Sequence, residues 1–510
     1  MITRRHFLRL SSIAALGLTS FKNFKFFGGD KINYNIILGR ATANSITVNL
    51  MLNQDAEAFI AYGSDKNNLK LKTPLNKLFA NNPVEFVLTG LAQNQRFYYQ
   101  VCYSTPGSTL IKEKPLSFRT QRKKGSDFVF TISADSHLGT LKHCSPALYQ
   151  TTLNNVVRDE PDLHFSLGDD FRASKVNNPD YKKIEQLYLD QREHLNALCS
   201  TVPFYFILGN HELEAKAYND GTDNCLAAWS TKARLKFVPN PSPDGFYTGN
   251  SSTAPGERRE NYYAFEWGDV LFITMDVFWY SNISADDEEM REKNKNEFEN
   301  LSKEERIKAR AQEKDNKGGG RGQKDKNGPH KDQWAFTIGE EQYKWLQQTL
   351  AKSNAMHKFV FGHHVLGACR GAVEWAGMFE WGGKNRRGIE QFADNRPGWE
   401  MPIHQLFVKN KVTAFIQGHD HLFVRQEMDG IAYITCPMSG DPGYNTYNND
   451  KYLSGDKLSN TGHLRVSVTA NDVQMQYIKA VLHKDESAQG KNGSVAYAYS
   501  FVQKKVLPTT

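Results

Sequence analysis

The sequence predicts two folded parts, an N-terminal all-β sandwich followed by a larger α/β domain. Three observations support this fold class. The 510 residues exceed what one hydrophobic core usually serves. Short apolar runs with an alternating pattern, separated by turn residues, fill residues 33–120. Beyond the basic linker at residues 122–125, apolar runs alternate with amphipathic segments, as in α/β proteins.

The N-terminal part, residues 33–120, predicts a small antiparallel sandwich. Its strand-like runs are Ile36–Leu38, Ser45–Met51, Ala58–Tyr62, Val84–Leu88, Phe97–Tyr103 and Leu116–Arg119. The stretch from Leu88-Thr89-Gly90-Leu91 through Arg96-Phe97-Tyr98-Tyr99-Gln100-Val101 to Phe118-Arg119-Thr120 resembles the last strands of a fibronectin type III-like domain. Such a domain serves either as a binding module or as a packing partner for its neighbour, and we favour the packing role.

The α/β part spans residues 126–480. Its segments Tyr181–Leu198 and Glu340–Leu350 predict amphipathic helices. The pattern fits one sheet between helices as well as two sheets covered by helices. Residues 286–332 are dense in charges of both signs and predict a solvated, mobile insertion. Residues 481–510 form a C-terminal extension.

The first 30 residues resemble a twin-arginine export signal. Thr3-Arg4-Arg5-His6-Phe7-Leu8-Arg9 is followed by an apolar stretch at residues 10–18, which is too short for a stable membrane span. The resemblance implies export to the periplasm or the medium in a folded state, so that a metal could be loaded beforehand. A disordered basic N-terminus is the alternative.

The composition is that of a soluble protein, with 39% hydrophobic and 23% charged residues. The net charge of +7 lies partly in the leader, and no basic face or module indicates a nucleic-acid partner. Six cysteines form no Cys-x-x-Cys pair, which argues against a finger-type zinc site. Disulfides formed after export and buried free thiols both remain open, as does the oligomeric state.

Five apolar runs of the α/β part each end in residues that can bind metal. They are residues 128–134 before Asp135-Ser136-His137, 163–167 before Gly168-Asp169-Asp170, 204–208 before Gly209-Asn210-His211-Glu212, 358–361 before Gly362-His363-His364, and 412–417 before Gly418-His419-Asp420-His421. Loops at the carboxyl ends of strands converge, so these five can build one pocket. The glycine before four of the ligand groups suits a sharp exit from the strand.

The ligand types in these loops indicate the metal. Carboxylate, imidazole and amide ligands suit Zn, Mn or Fe rather than calcium or a cysteine-rich site. A carboxylate shared by two such ions holds them roughly 3.5 to 4 Å apart, the separation used in two-metal hydrolysis. The sequence therefore predicts a pair of transition-metal ions.

The five motifs occur in the order typical of the calcineurin-like metallophosphoesterase family, which residues 126–480 resemble. With the preceding sandwich, the chain is similar to purple acid phosphatase-like members. The resemblance implies a two-sheet core flanked by helices and a phosphorylated small-molecule substrate. It assigns Asp135, His137 and His421 to one metal, Asn210, His363 and His419 to the other, and Asp169 to both.

The same resemblance implies the chemistry. A hydroxide bridging the two metals would attack phosphorus in line, while His211 stabilises charge or protonates the leaving oxygen. The sequence departs from the purple acid phosphatase pattern at one position. Those enzymes carry a tyrosine ligand three positions after the bridging aspartate, and here that position is Arg172. We therefore expect a colourless centre in which His137 completes the ligand set of the first metal.

Other residues near the motifs have two interpretations. Arg172 would bind a substrate phosphate through its planar fork or pair with a surface carboxylate. His364 would contact the substrate or support a ligand. We expect the neighbouring carboxylates Asp170, Glu212, Asp276 and Asp420 to play supporting roles, the last three by holding histidine ligands.

The leading hypothesis is an exported phosphomonoesterase. A phosphodiesterase or a nucleotide or pyrophosphate hydrolase would use the same metal ligands and differ in the pocket walls. A hypothesis of another class is a non-catalytic surface-binding protein on a retired scaffold. The complete set of seven ligand positions argues against it, since a degenerate scaffold should have lost at least one.

Overall fold

The computed structural model describes residues 33–251, 259–281, 333–365 and 370–501. The predicted export signal and the charged insertion lie outside these ranges. No helix within them is long and apolar enough to cross a membrane. The five cysteines that the ranges contain are buried and form no disulfide with one another.

The N-terminal region consists of two antiparallel sheets that share one core. Its strands are β1 (Tyr34–Gly39), β2 (Ile46–Leu52), β3 (Ala56–Gly63), β4 (Leu71–Lys72), β5 (Asn76–Leu78), β6 (Val84–Leu88), β7 (Arg96–Ser104), β8 (Ile111–Lys112) and β9 (Leu116–Arg119). One sheet has the order β1-β2-β6, and the other has the order β4-β3-β7-β8, with β5 on β3 and β9 on β7. Side chains such as Val48, Ile60 and Val101 fill the space between them.

The α/β region contains two mixed sheets. Its strands are β10 (Phe128–Ser133), β11 (Leu163–Ser166), β12 (Phe204–Phe206), β13 (Thr248–Gly249), β14 (Tyr263–Trp267), β15 (Val270–Thr274), β16 (His357–Phe361), β17 (Ala414–Gln417), β18 (Phe423–Met428), β19 (Ile431–Thr435), β20 (Asp456–Leu458), β21 (Gly462–Val468), β22 (Val473–Lys479) and β23 (Val495–Ser500). The first sheet has the order β12-β11-β10-β21-β22-β23, and the second β13-β14-β15-β16-β17-β19-β18-β20. Strands β10 to β12 are parallel, as are β15, β16, β17 and β19.

Aromatic side chains hold the two sheets of the α/β region together. The ring centroids of Phe130 and Phe272 lie 4.9 Å apart, and those of Phe165 and Phe361 lie 4.6 Å apart. Successive side chains of a strand point to opposite faces of the sheet. The neighbours of these aromatic residues along the strands, such as Ile273 and Val360, therefore face a second core, to which the helices contribute. Both faces of the parallel strands are therefore buried, which explains their continuous apolar runs.

The helices cover the outer faces of the sheets. They are α1 (Pro146–Arg158), α2 (Tyr181–Cys199), α3 (Leu226–Phe237), α4 (Glu340–Lys352), α5 (Val373–Ala376), α6 (Phe379–Gly382), α7 (Phe392–Asn395), α8 (Ile403–Lys409) and α9 (Glu486–Gln489). Ser145 and Asp180 cap the first two, because their side chains accept hydrogen bonds from backbone N–H groups of the first turn.

The predicted fold class is confirmed: a β-rich region precedes an α/β region with a two-sheet core flanked by helices. The predicted helices begin where α2 and α4 begin and end within two residues of them. The short strands β4, β5 and β8 were not predicted.

Candidate metal centre

The predicted ligands lie together at the carboxyl ends of five strands. Three of these strands, β10, β11 and β12, belong to the first sheet, and β16 and β17 belong to the second. The centre therefore lies where the two sheets meet at one end of their shared core. The backbone turns back sharply there, since five ligand residues adopt positive φ: Asp135, His137, Asp169, His419 and His421.

The first cluster consists of Asp135, His137, Asp169 and His421, which are all buried and whose ligand atoms lie within 4.8 Å of one another. The Nε2 atoms of His137 and His421 lie 2.8 Å apart. Asp135 Oδ1 lies 3.8 Å from Nε2 of His137 and 3.4 Å from Nε2 of His421. One carboxylate and two imidazoles thus converge on a single point.

The second cluster consists of Asp169, His363 and His419, again buried and within 4.8 Å of one another. His363 Nδ1 donates to the carbonyl oxygen of Leu167 at 2.7 Å, which directs Nε2 towards the centre. That Nε2 lies 3.2 Å from Asp169 Oδ2 and 3.3 Å from His419 Nδ1. Asp169 belongs to both clusters, as a bridging ligand must. Asn210 is buried at the end of the neighbouring loop after β12.

The electrostatics of the first cluster favour a bound cation. Burial raises the pKa of the Asp135 carboxyl to about 7, and nearby Asp169 adds to the effect. Burial, with His421 next to it, lowers the pKa of His137 well below its usual value, so the ring is neutral, the form that binds metal. Among the described residues, no hydrogen-bond partner reaches Asp135 Oδ1 or His137 Nδ1.

The glycines before the ligands act mainly by allowing close approach. A Cβ atom on Gly209 would lie 2.3 Å from Asp169 Oδ1, and one on Gly418 would lie 2.5 Å from Asp135 Oδ2. Of the four, only Gly168 has a positive φ, at +87°. The sharp exit predicted for the glycines is thus made largely by the ligand residues themselves.

The comparison with known protein families identifies the part of the chain that contains these residues. The model of the calcineurin-like phosphoesterase family matches residues 128–423, more than half of the chain, and this range contains every predicted metal ligand. This chain belongs to the calcineurin-like phosphoesterase family. With the paired ligand clusters, membership makes it a metal-dependent phosphoesterase.

Solved structures show the same fold at low sequence identity. PhoD is 13% identical with a TM-score of 0.56, over 87% of this chain and 86% of PhoD. The purple acid phosphatase PPD1 from yellow lupin (Lupinus luteus) seeds is 16% identical with a TM-score of 0.57, over 91% of this chain and 73% of that one. A search of curated proteins by sequence gives no match.

The carboxylates expected to play supporting roles accept hydrogen bonds from the loops that carry the predicted ligands. Glu212 accepts hydrogen bonds from the backbone N–H groups of Gly209, Asp169 and Asp170 at 2.7, 3.0 and 3.0 Å. Asp170 itself accepts from Ser166 Oγ at 2.9 Å. These contacts fix two ligand loops relative to each other.

Asp276 and Asp420 also hold loops. Asp276 accepts from the backbone N–H groups of Phe278 and Trp279 at 2.8 and 3.1 Å. Asp420 accepts from the Gly371 N–H at 2.7 Å and from the Tyr452 hydroxyl at 2.5 Å. These contacts hold the loops around the ligands, and the expectation that Glu212, Asp276 and Asp420 also orient histidine rings stays a prediction.

His211 and His364 lie against opposite clusters. His211 is buried, its ring centroid is 5.2 Å from that of His137, and its Nε2 is 3.8 Å from Asp169 Oδ2. Its Nδ1 lies 3.1 Å from Ser174 Oγ. The His364 ring is fully buried 4.6 Å from that of His419, and neither of its nitrogens has a hydrogen-bond partner in the described part of the chain.

Two aromatic residues at the centre were missed by sequence reasoning. His143 lies in the loop between β10 and α1, and its ring centroid is 5.8 Å from those of His137 and His421. Tyr447 lies between β19 and β20, 5.6 Å from the His143 ring and 5.9 Å from the His421 ring. Neither follows an apolar run, so no sequence signal marked them.

Proposed function

We propose that this protein is an exported di-metal phosphomonoesterase. One observation carries the catalytic part: two buried ligand clusters share Asp169, the arrangement that a two-metal hydrolase requires. The twin-arginine-like leader supports export. Cell fractionation tests that part, because a protein found only in the cytoplasm would contradict it.

The residues fit two transition-metal ions such as Fe, Mn or Zn. Asp135, His137 and His421 would hold one ion, Asn210, His363 and His419 the other, and Asp169 both. The fit rests on buried carboxylate and imidazole atoms, one of which, Asp135 Oδ1, has no hydrogen-bond partner in the described ranges. The ions would acidify water and neutralise charge on the phosphoryl oxygens.

The role proposed for His211 follows from its contacts. When Ser174 Oγ donates to Nδ1 of His211, the proton of the ring lies on Nε2. The backbone N–H of His211 donates to Asp169 Oδ1 at 2.8 Å, which fixes the residue beside the bridging carboxylate. These contacts support the proposal that His211 Nε2 donates to a phosphoryl oxygen or protonates the leaving oxygen.

The decisive experiment combines metal analysis with hydrolysis of aryl phosphates. We expect purified protein to contain about two transition-metal ions per chain and to hydrolyse 4-nitrophenyl phosphate. Asp169→Asn should reduce kcat at least about a thousandfold without unfolding, because the bridging charge is lost.

Asp450→Asn is the matched control. Its carboxylate is exposed, so the same substitution should leave activity unchanged. The proposal fails if the wild type, supplied with Mn, Zn or Fe, hydrolyses no phosphoester. Full activity of Asp169→Asn would contradict the assignment of the site.

A further inference from the structure

The loop that follows His137 folds back over the first ligand cluster. Gly139 turns the chain at a φ of +85°, and the His143 N–H donates to the Thr140 carbonyl oxygen at 2.8 Å. The N–H of Ser145 then donates to the carbonyl oxygen of Gly440 at 2.8 Å, which fixes the end of the loop. His143 is thereby held over the His137 ring, with Nδ1 buried and no hydrogen-bond partner in the described ranges.

A second loop holds Tyr447 against His143 from the other side. Asp441 accepts hydrogen bonds from the backbone N–H of Asn445 at 2.7 Å, and Asn445 Nδ2 donates to the Tyr447 hydroxyl at 2.9 Å. Asn448 Nδ2 donates to the carbonyl oxygen of Asp420, which lies between two ligands, at 3.1 Å. The position of the His143 ring is therefore set by two loops that are both anchored near the metal centre.

Arg172 lies in a segment that contacts both the loop of His137 and the loop of His211. The preceding residue, Phe171, pairs with Leu138 of the His137 loop, and Ser174, two residues after Arg172, contacts His211. Arg172 is half-buried, and its Nε has no hydrogen-bond partner among the described residues. Nor does its guanidinium form an ion pair with any described carboxylate.

We propose that Arg172 and His143 bind the terminal oxygens of the scissile phosphoryl group beside the first cluster, and so select monoesters over diesters. A monoester has one more terminal oxygen and one more negative charge than a diester. A guanidinium fork and an imidazole N–H suit these acceptors, whereas an esterified oxygen is a poorer acceptor and carries an extra substituent into the same space. The inference rests on the proposed function and names the residues that determine its substrate class.

The test compares two substrates of one enzyme. For Arg172→Met and His143→Ala, we expect kcat/KM for 4-nitrophenyl phosphate to fall about 10- to 100-fold, the effect of losing a charged or buried hydrogen bond. The value for bis(4-nitrophenyl) phosphate should change less than about threefold, because the diester makes little use of either group. A general disturbance of the metal centre would lower both values equally.

Conservative variants and a charge control sharpen the comparison. His143→Gln keeps an N–H donor and Arg172→Lys keeps the charge, so each should recover part of the monoesterase activity. Lys175→Met removes an exposed positive charge three residues from Arg172 and should change neither activity. Metal content and thermal unfolding are measured for every variant.

The outcomes separate the two proposals. Equal losses on both substrates, or unchanged monoester hydrolysis, would overturn the subsite while leaving the phosphoesterase intact. Absence of hydrolysis by the metal-loaded wild type would instead contradict the proposed function. If His143→Ala fails to fold, Arg172→Met and His143→Gln still test the proposed subsite, because neither substitution leaves a cavity in the core.

Discussion

At the scale of single residues, Glu212 holds two loops of the candidate metal centre together, although we do not assign it as a metal ligand. Glu212 is fully buried and accepts three backbone hydrogen bonds, from Gly209 and from the consecutive residues Asp169 and Asp170. Burial, followed by the charges of Asp169 and Asp170, raises the pKa of Glu212 well above its usual value. The same side chain thus links the loop of Asp169, which both clusters share, to the loop that carries Asn210 and His211.

Replacing Glu212 should lower the affinity of the centre for metal. For Glu212→Ala we expect a loss of metal affinity of about 10- to 100-fold, because three buried N–H groups lose their acceptor and the ligand loops become free to separate. Competition with a chelator measures this affinity. Glu427→Ala, at an exposed position on β18, is the control. Unchanged affinity in Glu212→Ala would show that the strand ends alone position the ligands.

At the scale of elements, the sequence predicted what local patterns encode. Helices α2 and α4 were found because their apolar residues recur at helical spacing, and the buried strands because their apolar runs stand between turn residues. The strands β4 and β8, of two residues each, carry no such pattern. They form only because the long strands β3 and β7 offer hydrogen-bonding edges, which are a property of the folded sheet.

The same distinction applies to the site. The clustering of the predicted ligands could be foreseen because each follows a strand and because parallel strands end at the same edge of a sheet. His143 and Tyr447 could not be predicted, since each lies in a loop whose path is set by distant contacts, such as Ser145 with Gly440 and Asn448 with Asp420. Strand ends thus encode the predicted metal ligands, whereas tertiary contacts bring His143 and Tyr447 beside them.

At the scale of the whole molecule, the β-rich region and the α/β region are joined by buried polar contacts. Arg192 on α2 is 1% exposed, and its Nη1 donates to Asn49 Oδ1 of β2 at 2.7 Å and to the Phe237 carbonyl oxygen at the end of α3 at 2.6 Å. Its Nε donates to Asn35 Oδ1 of β1 at 3.0 Å. The Tyr99 hydroxyl of β7 adds a bond to the Ser200 carbonyl oxygen at 2.6 Å. These contacts support the packing role favoured for the N-terminal region.

Arg192 gives a direct test of this coupling between the regions. Burial lowers the pKa of Arg192 to about 9, and no carboxylate in the described ranges pairs with it, so neutral oxygens alone balance its charge. Arg192→Met removes every one of these donors at once and leaves buried acceptors from both regions without a partner. We expect the free energy of unfolding to fall by about 2–4 kcal/mol, as for other disrupted buried polar networks.

Urea unfolding followed by two probes measures the effect and locates it. Lys182→Met, at an exposed position on the same helix, is the control and should stay within about 0.5 kcal/mol of the wild type. If the regions form one cooperative unit, the wild type unfolds in a single transition, whereas Arg192→Met unfolds earlier or in two steps. A variant as stable as the wild type would mean that the apolar contacts between the regions suffice and that the Arg192 network adds nothing to their docking.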